Sequence, residues 1–89
     1  QALEGPVRFT CEIYLPIPKS WPKKKQAAAA AGEVRPISRP DIDNYIKALL
    51  DSANEIVVQD DSQVVELVSR KSYSHNPRAK LTFEEIKNA

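Results

Sequence analysis

Methionine is missing altogether from the 89 residues, cysteine and histidine occur once each, and aromatic residues make up only 7%. The single cysteine, Cys11, rules out an intramolecular disulfide framework and any zinc site built from several thiolates. No apolar run approaches the roughly 20 residues that cross a bilayer, and no signal-peptide pattern opens the chain. Without a methionine the natural start is expected to lie upstream, so the sequence reads as a fragment whose first ordered element falls outside it. A strong charge of either sign is also absent, since 13 Lys and Arg face 12 Asp and Glu for a net +1. Taken as a sum, that value argues against a nucleic-acid partner. What remains is 42% apolar and 28% charged, the make-up of one folded domain over residues 1–89 rather than of a disordered tail. A domain of this size hides only about 60–65% of its unfolded surface, so its core is expected to be thin.

The sum conceals a pattern. Residues 1–18 carry Arg8 against Glu4 and Glu12, or −1. Residues 19–39 carry Lys19, Lys23, Lys24, Lys25, Arg35 and Arg39 against Glu33, or +5. Residues 40–66 hold seven acids against Lys47 alone, or −6, and residues 67–89 hold five bases against Glu84 and Glu85, or +3. An acidic centre therefore lies between two basic flanks. Charge runs are commonly just solvated faces, but an acidic knot in basic surroundings is less usual.

Val7, Phe9, Cys11, Ile13 and Leu15 alternate with polar neighbours and Tyr14, which predicts a strand with one covered face, ended by Pro16 and Pro18. Ser20-Trp21-Pro22 reads as a helix start with Ser20 as N-cap, followed by helix formers from Lys23 to Ala31 and a stop at Gly32. Residues 33–40, with Pro36 and Pro40, read as an extended connector. Ile42, Tyr45, Ile46, Leu49, Leu50 and Ala53 fall three and four apart, the apolar stripe of a helix whose N-cap is Asp41. After the short run Ile56–Val58, a second strand is expected from Val64 to Tyr73. A turn follows at Ser74–Pro77, then a third strand through Ala79, Leu81 and Phe83, paired with the second as a hairpin. The fold class is α+β, a small and mostly antiparallel sheet with one face under the central helix.

Two features bear on chemistry, Asp41-Ile42-Asp43-Asn44 at a helix start and Asp60-Asp61 before a strand. Each has an ordinary structural role open to it, as helix caps worth about 0.3–2 kcal/mol or as turn residues. The helix is about 18 Å long at 1.5 Å per residue, and residues 54–61 can reach back about 26 Å. An antiparallel return would place Asp60 or Asp61 beside the helix start and bring three or four carboxylates together. Crowded anions repel unless a cation neutralises them, and a hard divalent ion with oxygen ligands, Mg²⁺ above all, does so. Such a site polarises phosphate and activates water. Lys47, four residues from both Asp43 and Asp51, is open to a helical ion pair or to a role in holding phosphate.

At this point the residues resemble a known family. Arg39-Pro40-Asp41-Ile42-Asp43-Asn44, Ile46-Lys47-Ala48, Leu50-Asp51, Ile56-Val57, Asp60-Asp61-Ser62-Gln63-Val64-Val65-Glu66 and Lys71-Ser72-Tyr73 are similar to the RusA family of Holliday-junction resolvases. Pro16-Ile17-Pro18-Lys19-Ser20-Trp21 and Lys23–Lys25 extend the likeness, as in phage-borne members, to nearly the whole chain. The resemblance implies a homodimeric, Mg²⁺-dependent endodeoxyribonuclease of the cytoplasm, bacterial or phage-encoded, that nicks four-way DNA junctions symmetrically in recombination and repair, with Mn²⁺ as a substitute ion. It implies a further N-terminal strand that this sequence lacks. It places the catalytic and metal-binding carboxylates on Asp41, Asp43 and Asp61, a less critical acid on Asp60 and the catalytic lysine on Lys47. The basic flanks then acquire a partner, with Lys23, Lys24, Lys25, Arg39, Arg70 and Lys71 as candidate DNA contacts. Trp21 is open to base stacking or, more simply, to core packing or a helix-start staple, Cys11 reads as core, and Tyr45 as core or dimer contact. Asn54-Glu55 stands where many relatives have Asn-Gly, which suits a left-handed turn, so Glu55 is expected to strain it. The alternative reading is a non-catalytic dimer that recognises branched DNA, its acids serving only as caps and turns.

Overall fold

The computed structural model describes residues 2–87. Strand β1 (Val7–Pro16) buries Val7, Phe9, Cys11 and Ile13 at every second position and leaves the intervening residues half-exposed, as the alternation requires. Helix α1 (Lys23–Ala30) follows, then α2 (Ile42–Ala53), a 3₁₀ turn at Asp61–Gln63, β2 (Val64–Ser74) and β3 (Arg78–Glu85). The elements expected from periodicity all form, within an α+β architecture of three strands and two helices.

The strand order corrects one expectation. β2 and β3 do not pair as a hairpin; β1 lies between them, parallel to β2 and antiparallel to β3. Both edges of β1 are thus used, and its fully buried Phe9 is flanked by Leu67 on one side and Phe83 on the other. Phe9 and Phe83 stack with ring centroids 4.6 Å apart. His75-Asn76-Pro77 bridges two strand spacings, about 10 Å, which three linking residues can span. The Ser74 hydroxyl accepts from the Asn76 N–H at 3.0 Å, and the Arg78 guanidinium donates to the Asn76 carbonyl at 2.8 Å, fixing that crossing.

One face of the sheet is covered by α2, whose Ile42, Tyr45, Ile46, Leu49 and Leu50 pack on Phe9, Cys11 and Ile13. Cys11 and Tyr45 therefore take the core roles expected of them. On the other face Arg8 reaches across both neighbouring strands, to Glu66 at 2.6 Å and Glu84 at 3.6 Å. α1 has Pro22, not Ser20, at its N-cap, with no side-chain hydrogen bond there. It stops where Gly32 takes a positive φ of 85° and the Glu33 N–H reaches back to the Ala28 carbonyl. No helix is long and apolar enough to cross a membrane among the described residues.

Candidate active site

Asp41 begins α2 with extended backbone and a side chain that caps nothing, although its carbonyl accepts the Asn44 N–H at 3.2 Å. The carboxylate is exposed and uncommitted, so the ordinary capping role is not what it performs. Asp43 lies in the first turn, also exposed, and Lys47 one turn further on is exposed as well. Among the described residues Lys47 forms no ion pair with Asp43 or Asp51. Beside the helix start, Arg39, Pro40, Asp41 and Asn44 line a recess of about 300 Å³. A guanidinium and a carboxylate on one small recess suit a phosphate group with its counter-ion or attacking water.

Asp60 and Asp61 divide their work. The Asp60 carboxylate accepts the Ser62 N–H at 3.0 Å and the Ser62 hydroxyl, and the Gln63 amide closes the capping box by accepting the Asp60 N–H at 2.8 Å. The Ser62 hydroxyl, then its N–H, hold the Asp60 carboxyl below its ordinary value. Asp61, exposed, has no such partner among the described residues. Of the pair, Asp60 is occupied with the turn and Asp61 is the acid left for other use.

The expected convergence does not occur. Asp41 and Asp43 stand at the start of α2, a helix about 18 Å long, whereas Asp60 and Asp61 lie beyond its other end, before β2 at the foot of β1. No group of three or more His, Cys, Asp or Glu able to hold a metal ion is formed among the described residues. The link from Asn54 to Asp60 does not extend back along α2 but folds at its foot. The Ala53 carbonyl accepts both the Ile56 N–H at 3.1 Å and the Val57 N–H at 2.9 Å, and Leu3 N–H bonds the Val57 carbonyl at 2.8 Å. The reach is used up in that turn, and β2 then starts beside Val7, at the foot of β1. The all-oxygen donors suit a hard divalent ion, but within one chain the described residues do not form a cage for it.

Two side chains fasten these acid-bearing turns to the sheet. Gln63 donates to the Leu3 carbonyl at 3.0 Å and the Gly5 carbonyl at 2.9 Å while accepting from Asp60. Lys71, expected as a DNA contact, turns its ammonium to the Ser38 carbonyl at 2.9 Å and the Pro40 carbonyl at 3.3 Å. Neither role was read from the sequence. A lysine opposite Ile13, at a position of inward-facing parity, was the available signal for Lys71; nothing marked Gln63.

The other basic candidates stay on the surface. Lys23, Lys24 and Lys25 are exposed at the start of α1, and the Lys25 ammonium sits 4.0 Å from the Trp21 ring centroid. Trp21 itself is half-buried, edge-on to Tyr73 with centroids 5.2 Å apart, so it packs as expected. Arg70 lies opposite Glu12 on the uncovered face of the sheet.

The family model for the RusA endodeoxyribonuclease matches residues 1–84. The chain is 42% identical over 86 residues to a protein of Bacillus subtilis (strain 168) called uncharacterized protein YqaN, a match covering 94% of this chain and 61% of that protein. The chain thus spans under two thirds of the length of the curated relative it matches. No solved structure matches.

Proposed function

This chain belongs to the RusA endodeoxyribonuclease family, and from that premise we propose that it is the core of a Mg²⁺-dependent nuclease that resolves four-way DNA junctions by paired, symmetric phosphodiester cleavage. The observation that carries the reading is the uncommitted state of Asp41, Asp43 and Asp61, three exposed acids with no capping or ion-pair role in the fold. Exposed acids with no capping hydrogen bond or ion pair, one of them, Asp41, on a recess edged by Arg39, favour a ligand that needs them. Asp41, Asp43 and Asp61 are the proposed ion ligands and Lys47 the cation toward the phosphate. Arg39, Arg70 and the Lys23–Lys25 cluster are proposed to hold DNA backbone on either side, in the cytoplasm where such DNA is found. Two symmetric nicks need two sites, and a two-fold homodimer provides them.

The test uses a synthetic four-way junction and a linear duplex, each with and without Mg²⁺ or Mn²⁺. The junction should be cut in the presence of either ion, and Asp43→Asn should abolish cutting while leaving junction binding intact. Wild-type cleavage by Asp43→Asn would refute the assignment; binding without cleavage under every metal would favour the non-catalytic module. Mixing Asp43→Asn with Asp61→Asn should restore cutting if one site draws its acids from two copies, and leave it absent if each chain supplies its own.

A further inference from the structure

The connector between the helices buries Pro36 but makes few hydrogen bonds of its own. Pro36 and Pro40 lack N–H donors, and among the described residues the hydrogen bonds made to residues 34–40 come from Lys71. That side chain starts on the α2-covered face of the sheet, opposite Ile13, which is 3% exposed. Lys71 is half-buried, and its ammonium meets the connector at the surface. Two of the three ammonium donors go to the carbonyls of Ser38 and Pro40, the residues on either side of Arg39 and directly before Asp41. Holding both carbonyls fixes where Arg39 faces the recess and where α2 begins.

We propose that Lys71 is a positioning residue for the nuclease reaction, clamping the Ser38–Pro40 turn so that Arg39, Asp41 and Asp43 are presented in one fixed arrangement. The inference rests on the nuclease reading above for its consequence in cleavage, but the clamp itself is measurable without it. Positioning the connector and contacting a phosphate are different roles for this lysine, and they leave different signatures. Removing a phosphate contact weakens DNA binding and lowers the salt dependence of binding by about one charge. Removing a positioning group leaves that slope unchanged and lowers the rate, by about 10- to 100-fold for comparable outer partners of a site.

The experiment compares wild type with Lys71→Gln, Lys71→Met and Lys71→Arg. Junction affinity is measured against salt without metal, single-turnover cleavage is measured against Mg²⁺ concentration, and amide exchange is followed by mass spectrometry. The expected result is faster exchange in residues 38–46 of Lys71→Met, an unchanged salt slope, cleavage reduced 10-fold or more, and partial recovery by Lys71→Arg, whose donors can still reach a carbonyl. Lys71→Gln, with two donors and no charge, should fall between. Unchanged exchange over residues 38–46, or a salt slope reduced by one with cleavage rate intact, would overturn the proposal. Should wild type cut no DNA at all, the nuclease reading fails and the exchange measurement alone decides whether the clamp exists.

Discussion

Glu55 offers a test of the fold that does not depend on any function. It is the one residue other than glycine with a positive φ, 68°, among the described residues, and it is exposed at the turn below α2. A left-handed conformation costs a side-chain-bearing residue about 1–2 kcal/mol, whereas glycine adopts it freely and is penalised about 0.5–1 kcal/mol through its looser unfolded chain. Glu55→Gly should therefore raise stability by about 0.5–1 kcal/mol, or roughly 2–8 °C in Tm for a domain of this size. Glu55→Ala is the necessary control, because it removes the same charge while keeping the β-carbon that makes the turn unfavourable. Urea titrations of the three proteins should show Glu55→Gly more stable than Glu55→Ala, with unchanged m-values. A glycine variant no more stable than the alanine variant would refute the left-handed turn, and with it the account of why residues 54–60 fail to extend back along the helix.

Two further outcomes are expected. Gln63→Glu keeps the acceptor for the Asp60 N–H but loses the donors to the Leu3 and Gly5 carbonyls, so it should cost more than Gln63→Ala, whose loss is about 1 kcal/mol; equal midpoints in urea would remove the clamp from the argument. Burial pushes the Cys11 thiol up, with the Ser69 hydroxyl offsetting part of it. A raised value in the folded state means stability that is complete below the ordinary thiol range of about 8.5 and falls as pH rises through the folded value. Denaturation midpoints from pH 7 upward should decline less steeply for Cys11→Ala than for wild type, and parallel declines would contradict the burial.

Periodicity identified the faces of this protein and not its neighbours. The two-residue alternation from Val7 to Leu15 picks out the buried side of β1, because successive side chains point to opposite faces. The same alternation is silent on which strand lies beside it, and a short turn between β2 and β3 suggested a pairing that β1 in fact interrupts. The stripe from Ile42 to Ala53 fixed the helix and its packing face for the same local reason. The candidate acids could be named from the sequence, but their arrangement in space could not. Chain length sets how far residues 54–61 can reach, but hydrogen bonds at Ala53 and Leu3 decide how far they do reach. Lys71 shows the remaining gap, since its charge pointed to DNA and gave no sign of the Ser38 and Pro40 carbonyls that its ammonium meets.

The separation of the acids places a condition on the proposed chemistry. Carboxylates that share one Mg²⁺ each approach it to about 2.1 Å, whereas Asp41 starts α2, a helix about 18 Å long, and Asp61 lies beyond its other end, before β2. Sliding α2 to bring them together would pull Ile42, Ile46 and Leu49 off Phe9, Cys11 and Ile13, exposing apolar surface at about 25 cal/mol per Å². The connector before α2 is also held by Lys71, and the Asp60–Asp61 turn is tied by Gln63 to the Leu3 and Gly5 carbonyls. A second copy meets the condition with no such rearrangement, because Asp41 and Asp61 are both exposed and face solvent at opposite ends of the molecule. The homodimer proposed for two symmetric nicks is then also the simplest way to complete either site, and restoration of cutting by mixed Asp43→Asn and Asp61→Asn chains is the result that this geometry requires.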